Sequence, residues 1–504
     1  MPSSSGSEQF VDIYFGDLRP DLGGAPNPEM PGYLVDAVGV RLTPNGYRGM
    51  PVFADMASAA AIGGATSFWI PAYFEDTASA RRCFFALNQA DAKIYESQDE
   101  GQTWADVTPA AGTAVDVPGV FFTFETDVIY VCYTRAPISR TLSVAVGTDF
   151  ANLGGSPPIA RCGAQVRQHV VLGGLVGVDE YAVQTSAIGN DADWPTPGSA
   201  DAISKESIRE TLPQALGNVR AVLGGEKIGI VMQNYGITRM TYEGGDTVYS
   251  FDTFETKVGY GSGARNSTPV SDGKGVWYWY NDNGFYATDG YSVNRLDNAK
   301  IEDAVFNNLL SYDSSKTALP IDDCLSAYDP HRHLVIFGNH QSNYQLTYAP
   351  AVGSFSFMNE TTVSGVFVGL STTSSSGKTY GPTVFNINDS SRKLQMLSAN
   401  GAAVTMQTGY IELSPGRRVQ LQAAYLIGAG VGSNYTLDYK AAATYQAIDL
   451  SSSGFSTLAS SNRGMKQTGR GDAPFFAFKV TGTGSEAHLL RGVRVFFTDA
   501  GPSI

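Results

Sequence analysis

The sequence of 504 residues has little charge and no long apolar run. Charged residues make up 16% of the chain, and 48 acidic residues face 34 basic ones, for a formal net charge of −14. This balance argues against a protein that grips nucleic acid through its phosphates, because such binding needs clustered Lys and Arg. The longest apolar run is well short of the roughly 18 residues that a membrane-spanning helix needs. Polar residues follow Met1, so we expect no signal peptide.

Cysteine is also scarce, and no CxxC pair indicates a zinc site. The four cysteines, which lie far apart in apolar stretches, are Cys83, Cys132, Cys162 and Cys324. In so long a chain this spacing predicts free, buried thiols in a reducing compartment.

Candidates for chemistry are few. A metal site on His331, His333 and His340 lacks a nearby carboxylate or cysteine to complete it. The paired carboxylates Asp322 and Asp323 fit a solvated turn better than general acid–base work. No GxSxG motif is present, and the glycine-rich runs at 259–266 and 428–434 do not match GxGxxG. We therefore predict no catalytic, cofactor-binding or metal-binding residues and no cofactor.

Helical periodicity is rare too, with candidates only at 203–216, where Pro213 weakens the pattern, and at 299–311. Aromatic residues at 11% and 56 glycines instead favour short strands joined by turns. Units of three strands begin at residues 83, 128, 169, 228, 275 and 333, and a seventh that fits the pattern less well begins at 379. The spacing is near 45 residues, as for a four-stranded propeller blade, and the two longer intervals coincide with the helical candidates.

These patterns predict an all-β protein, a β-propeller of six or seven blades with a C-terminal β-sandwich and few short helices. We expect an extended N-terminal arm at 1–55 and the propeller at 56–405, with insertions between blades near 195–217 and 298–315. The longer alternating strands of residues 406–504 form the expected sandwich.

One turn motif, SQDEGQTW, has the spacing of the Asp-box turn best known from sialidases. Ser97 and Asp99 can cap the hairpin backbone, Gly101 permits a positive φ, and Trp104 can pack into the blade. We expect these four residues to build a turn, because the motif occurs once and lies away from catalysis in sialidase-like proteins. A sialidase also needs an arginine cluster, an early Arg-Ile-Pro motif and a Tyr/Glu pair, and the nearest tripeptide, at 135–137, follows the Asp box.

Several stretches together resemble the tail-tube (nozzle or hub) proteins of short-tailed bacteriophages. The N-terminal part of this pattern is Pro20-Asp21, Asn27-Pro28 and Gly46-Tyr47, ahead of the propeller. Further similar stretches lie at 190–202, 212–245 and 275–293, and the segment from NRGMKQTGRGD to the end looks like that family's closing sandwich. The resemblance covers most of the chain and rests on turns and aromatic residues.

The resemblance implies a structural, non-enzymatic virion protein, a homohexameric ring through which phage DNA passes during ejection. It implies portal or adaptor proteins and tail fibres or spikes as partners, with assembly in the bacterial host cytoplasm and no membrane span. The acidic composition suggests a lumen that repels DNA, so that loss of lumen carboxylates would slow ejection. Alternatives are a sialidase-like glycan hydrolase or glycan-binding propeller, and a host-encoded scaffold for protein partners.

Overall fold

A computed structural model describes residues 8–502 of the chain with internal gaps. The gaps are residues 23, 57, 65–68, 77–80, 89, 110–118, 227, 262–268, 282, 298–300, 302–323, 340–343, 359–362, 371–381, 389, 432–433, 445–453 and 461–466. Among the described residues, no helix combines the length and the apolarity needed to cross a membrane.

The N-terminal segment forms strands that pair with distant parts of the chain. These strands are β1 (Gln9–Tyr14), β2 (Leu34–Val38), β3 (Val40–Thr43), β4 (Gly46–Gly49) and β5 (Pro51–Asp55), with a 3-10 turn at Pro20–Leu22. β1 and β4 pair with the last strand of the chain, and β5 joins the last blade. The arm expected at 1–55 is thus built into both domains wherever the structure describes it, because its apolar residues bury against them.

In the described part of the chain, six four-stranded antiparallel sheets and four antiparallel strands of a ten-stranded sheet make up the seven blades of a β-propeller, as predicted. Blade 1 contains β6 (Trp69–Asp76), β7 (Arg81–Asn88), β8 (Lys93–Ser97) and β9 (Ala105–Asp106). Blade 2 contains β10 (Gly119–Phe124), β11 (Asp127–Cys132), β12 (Arg135–Thr141) and β13 (Ala151–Asn152). Blade 3 contains β14 (Ala160–Val166), β15 (His169–Leu175), β16 (Asp179–Thr185) and β17 (Arg209–Thr211). Blade 4 contains β18 (Val219–Leu223), β19 (Ile228–Gln233), β20 (Ile237–Gly244) and β21 (Val248–Glu255). Blade 5 contains β22 (Val270–Ser271), β23 (Trp277–Asn281), β24 (Gly284–Thr288) and β25 (Val293–Arg295). Blade 6 contains β26 (Cys324–Asp329), β27 (Leu334–Asn339), β28 (Gln345–Ala349) and β29 (Ser354–Met358).

Blade 7 closes the ring with strands from two distant parts of the chain. It contains β30 (Val363–Leu370), β31 (Pro382–Asn388) and β32 (Leu394–Gly401), and β5 completes the sheet by pairing with β32. β30 contacts β6 of blade 1, and the rings of Phe84 and Phe385 meet edge to face at 5.4 Å. The N-terminal strand therefore ties the last blade, which limits fraying of the ring.

Each unit predicted from the sequence begins at or near the second strand of a blade. That strand is packed on both faces by neighbouring blades, so β15 is buried over its whole length and reads as a continuous apolar run. The insertion expected near 195–217 contains β17, the fourth strand of blade 3. A short helix, α1 (Ala200–Ser204), precedes β17, and a 3-10 turn at Gln214–Leu216 follows it. The helix predicted at 203–216 is thus wrong, since Pro213 lacks the N–H that a helix interior needs. The helix predicted at 299–311 lies almost wholly outside the described residues.

The sandwich consists of two sheets that share one hydrophobic core. Its strands are β33 (Ala403–Thr408), β34 (Ile411–Glu412), β35 (Arg417–Ala429), β36 (Tyr435–Ala442), β37 (Ser456–Thr457), β38 (Ala459–Ser460), β39 (Gln467–Ala473), β40 (Phe475–Thr483) and β41 (Leu489–Pro502). One sheet has the order β2-β33-β40-β36-β37, and the other has the order β3-β4-β41-β35-β39-β38 with β1 also on β41. Leu437 and Phe478 of the first sheet and Leu421 and Val495 of the second belong to the same buried cluster.

The propeller and the sandwich are joined by backbone pairing. Strand β2 of the sandwich pairs in parallel with β29 of blade 6 at Val38 and Phe357, so one sheet runs from blade 6 into the sandwich. Strand β33 follows directly after blade 7. The sandwich is consequently attached at blades 6 and 7.

The propeller has two opposite faces. The "turn face" carries the turns between the first and second and between the third and fourth strands of each blade. The other face carries the turns between the second and third strands and the connections between blades. Antiparallel order within each blade places every such turn on one of these two faces.

Candidate functional site

The Asp-box turn lies on the turn face between β8 and β9 of blade 1. Ser97 Oγ accepts a hydrogen bond from the Gly101 N–H at 2.8 Å and donates to Asp99 Oδ1 at 2.8 Å. Asp99 also accepts from the N–H of Thr103 at 2.9 Å and from its hydroxyl at 2.6 Å. Gly101 has φ +81°, the left-handed conformation that glycine adopts without strain.

The polar side chains of this turn form their hydrogen bonds within the turn itself. Burial works to raise the pKa of Asp99, but the hydrogen bonds from Thr103 and Ser97 outweigh it and leave the pKa below its usual 3.8. The Gly101 carbonyl accepts the Ala60 N–H at 2.8 Å, and a Cβ on Gly101 would meet the side chain of Leu394 from blade 7 at 3.0 Å. Trp104 packs partly buried against the same blade 1–blade 7 core. The arrangement supports a structural role at the closure of the ring.

A tyrosine–glutamate pair, which the sequence reasoning did not find, lies on the turn face of blades 3 and 4. The Tyr242 hydroxyl donates a hydrogen bond to Glu206 Oε2, and the Arg167 guanidinium lies 3.8 Å from the centre of the Tyr242 ring. The hydrogen bond to Glu206, together with burial, raises the pKa of Tyr242 above its usual 10.0. The phenol is therefore held protonated, which disfavours it as a nucleophile in the resting protein.

A buried histidine, His169, lies next to this pair and contacts the Glu206 backbone. His169 is 0% exposed, and its ring lies 2.9 Å from the Tyr249 hydroxyl through Nδ1 and 2.8 Å from the Glu206 carbonyl through Nε2. A carbonyl only accepts, so Nε2 carries the proton and Tyr249 donates to Nδ1. Burial lowers the pKa of His169 below 6.5, despite the opposing hydrogen bond to Glu206. The neutral ring links blade 3 to blade 4.

An arginine cluster lies elsewhere, where blade 6 meets the sandwich. Arg332 binds both carboxylate oxygens of Glu486, at 2.7 and 3.1 Å, and Asp329 Oδ2 at 2.9 Å. Arg41 Nη2 lies 3.5 Å from Glu486 Oε1, and Arg48 donates to the Glu486 carbonyl at 2.8 Å. Two arginines thus reach one carboxylate and a third binds the backbone of the same residue, and that carboxylate belongs to this chain.

The tyrosine–glutamate pair and this group of arginines therefore do not form one site. The tyrosine–glutamate pair belongs to blades 3 and 4, whereas the arginines surround Glu486 at blade 6. No sequence signal could have joined Glu206 to Tyr242, because they lie in different blades and meet only through the packing of the ring. Arg135, the start of the tripeptide weighed above, is buried in β12, and its Nη2 donates to Asn152 at 3.1 Å.

The remaining candidates show no metal chemistry in the described part of the chain. His333 Nδ1 lies 3.0 Å from the Tyr328 hydroxyl, and the His331 N–H donates to Asp329 at 2.9 Å. The described residues contain no group of three or more His, Cys, Asp or Glu that could hold a metal ion. His340 and the carboxylates at 322–323 lie outside those residues.

Comparison with known proteins bears on the fold alone. No family model matches the chain, and no curated protein matches it. A solved structure described as "Structure of U3-55K" is similar over 68% of this chain and 99% of that chain, with a TM-score of 0.41 and 9% sequence identity. At such values the likeness says nothing about a site or a partner.

Proposed function

We propose that this protein is a structural component of a virion, the tail tube or nozzle of a short-tailed bacteriophage. It is non-enzymatic, forms a homohexameric ring through which DNA passes during ejection, and offers a platform for tail fibres. Portal or adaptor proteins adjoin the ring, and assembly takes place in the host cytoplasm. The resemblance of the sequence to such proteins motivates this proposal.

The observation that supports it most is how the resembling N-terminal segment is used. Tyr47 is fully buried, its hydroxyl donates to the Gly16 carbonyl at 2.7 Å, and a Cβ on Gly46 would meet the Leu490 carbonyl at 2.7 Å. The first and last strands of the chain thereby close one sandwich that is continuous with blade 6. A propeller and a sandwich joined by backbone pairing suit a structural protein that holds neighbouring virion proteins in fixed positions.

The test is the copy number of the chain in purified virions, measured against the portal protein by quantitative mass spectrometry. We expect about one copy for every two portal subunits, as for a six-fold ring on a twelve-fold portal. Absence from virions, or a low and variable copy number, would refute the proposal.

The pair of Tyr242 and Glu206 favours one second candidate, a sialidase-like glycan hydrolase or glycan-binding protein. A fluorogenic sialoside assay on the purified chain tests the hydrolase, with Tyr242→Phe as the matched variant. Turnover that Tyr242→Phe abolishes would support an enzyme. Equal background rates in the wild-type and Tyr242→Phe proteins would rule out the hydrolase and favour the structural proposal.

A further inference from the structure

One stacked arginine on the turn face of blades 3 and 4 lacks a carboxylate partner among the described residues. Five arginines of the described part of the chain lie over aromatic rings, and four of them also hold a carboxylate of this chain. Those four ion pairs are Arg140–Glu96, Arg161–Glu180, Arg239–Asp252 and Arg494–Asp12. Arg167 lies closest to its ring, 3.8 Å from the centre of Tyr242, yet no described carboxylate is at ion-pair distance from it. Its exposed guanidinium therefore keeps free N–H donors.

The carboxylate nearest in function, Glu206, binds the phenol instead of the guanidinium. Its Oε2 accepts from the Tyr242 hydroxyl, and its Oε1 accepts no hydrogen bond from the described residues. The Glu206 carbonyl is fixed by His169 Nε2 at 2.8 Å, so the backbone at this position is held in place. The two ends of one tyrosine side chain, its ring and its hydroxyl, thus carry a free guanidinium and a free carboxylate oxygen.

The backbone around Tyr242 is strained at three residues that are not glycine. Arg167, Glu206 and Val248 have φ of +53°, +52° and +54°. Arg167 is the first of the two residues that join β14 to β15, where a positive φ favours glycine. Val248 is β-branched, and such residues rarely adopt a positive φ. Residues in such conformations cluster where side chains are held for binding, so the strain singles out this group of residues as a candidate site.

The surrounding charge limits the kind of anion that can bind here. Glu226 follows the residue whose carbonyl accepts the Arg167 N–H at 2.9 Å, and Glu243 follows Tyr242. Both carboxylates are exposed, and they repel a phosphate dianion or a strongly acidic polymer. A ligand with one carboxylate and several hydroxyls fits better, because hydroxyls can donate to Glu206 without adding negative charge.

We propose that Arg167, Tyr242 and Glu206 form a binding site for an acidic sugar residue of the uronic acid type. The sugar carboxylate pairs with the Arg167 guanidinium, and a ring hydroxyl donates to Glu206 Oε1. Because both protein groups are held before the ligand arrives, binding requires little reorganisation. The site does not rest on the tail-tube proposal, since a purified chain can bind such a sugar whether or not it forms a ring.

Saturation-transfer difference NMR on the purified full chain tests the site with glucuronate as the probe. Glucose, which lacks the carboxylate, and acetate, which lacks the hydroxyls, are the matched ligands. With each ligand at about 10 mM, we expect clear transfer to glucuronate and much weaker transfer to the other two. An equal concentration of inorganic phosphate should displace little of the glucuronate. Absence of transfer to glucuronate, equal transfer to all three ligands, or full displacement by phosphate would each overturn the proposal.

Matched arginine variants locate the binding. Arg167→Gln should weaken glucuronate binding by about tenfold or more, because it removes a charge-assisted contact from an exposed side chain. Arg239→Gln should leave the binding unchanged, because that stacked arginine already holds Asp252 at 2.7 Å. Glu206→Gln should weaken the binding of glucuronate but not that of acetate, since only the hydroxyl contact changes.

The same affinity for glucuronate in the Arg167→Gln and wild-type proteins, or an equal loss in the Arg167→Gln and Arg239→Gln proteins, would contradict the inference. This experiment measures binding, whereas the sialoside assay measures cleavage and the copy number measures assembly. Failure to bind glucuronate therefore refutes the sugar site and leaves the tail-tube proposal to its own test.

Discussion

A buried ion pair between blades 1 and 2 allows a sharp test of how the ring is held together. Glu96 and Arg140 are 0% and 2% exposed, and Arg140 Nη1 lies 2.6 Å from Glu96 Oε1. Glu96 also accepts from the Gly147 N–H at 3.2 Å, and Arg140 Nη2 donates to the Ala145 carbonyl at 2.9 Å. Both charges are thus removed from water, and each lies against the other as its counter-ion.

Arg140→Met removes the positive partner and leaves the Glu96 carboxylate buried without its counter-ion. Breaking such a pair costs about 3–5 kcal/mol. For a propeller of about 350 residues, the entropy of unfolding converts this loss into a fall in apparent Tm of roughly 4–7 °C, measured by scanning calorimetry.

The same blade offers a matched control. Lys93 and Asp106 also approach to 2.6 Å, but their side chains are 47% and 40% exposed. Water and salt screen such a pair, so Lys93→Met should cost less than about 1 kcal/mol. Glu96→Leu combined with Arg140→Met should recover most of the stability, because no buried charge is left unpaired. The same apparent Tm for the Arg140→Met and Lys93→Met proteins would refute this reasoning.

Three further predictions concern single sites. Burial works to raise the pKa of Glu486, but Arg332 outweighs it and leaves the pKa below its usual 4.5. This contact therefore stabilises the protein above about pH 4.5 and less as the pH falls below it, and Glu486→Gln should flatten that dependence in melts from pH 3 to 7. Asp99→Ala, which removes the hydrogen bonds of the Asp-box turn, should cost about 1–3 kcal/mol in unfolding while leaving any sialoside background unchanged. Burial raises the pKa of the Cys83 and Cys162 thiols to about 12, so neither should react with a thiol reagent at pH 8 until the chain is unfolded.

The blades were predictable because each buries one strand on both faces and repeats that strand at a regular interval. The run at 169–175 shows this, since its apolar composition marks blade 3 without any homologous sequence. Free, buried thiols are confirmed for Cys83, Cys132 and Cys162. Local apolar patterns were thus sufficient for the repeating part of the fold.

Long-range pairing was not predictable from the same patterns. Nothing local to β1 indicates that Phe10 pairs with Phe496 or that Asp12 meets Arg494. The alternation of Phe10, Val11 and Ile13 would suit the edge of any sheet, so the sequence predicted only an extended segment and not its partner strand. The link between Glu206 and Tyr242 was missed for the same reason, since both contacts depend on how complete sheets pack.

The location of the acidic residues decides how the acidic composition can act. The described first strands, which adjoin one another around the propeller axis, carry Glu75, Asp76 and Asp329 as their carboxylates, and Asp329 pairs with Arg332. The exposed acids of blades 2 to 4 lie instead in turns of the turn face. A lumen that repels DNA would therefore have to draw mainly on the carboxylates in the turns.

Glu226→Gln combined with Glu243→Gln tests whether these turns line the proposed channel. If their carboxylates repel the passing phosphates, particles that carry the variant should eject DNA more slowly, because less repulsion keeps the DNA away from the wall. Ejection at the normal rate from particles that assemble would show that these carboxylates do not act on the passing DNA.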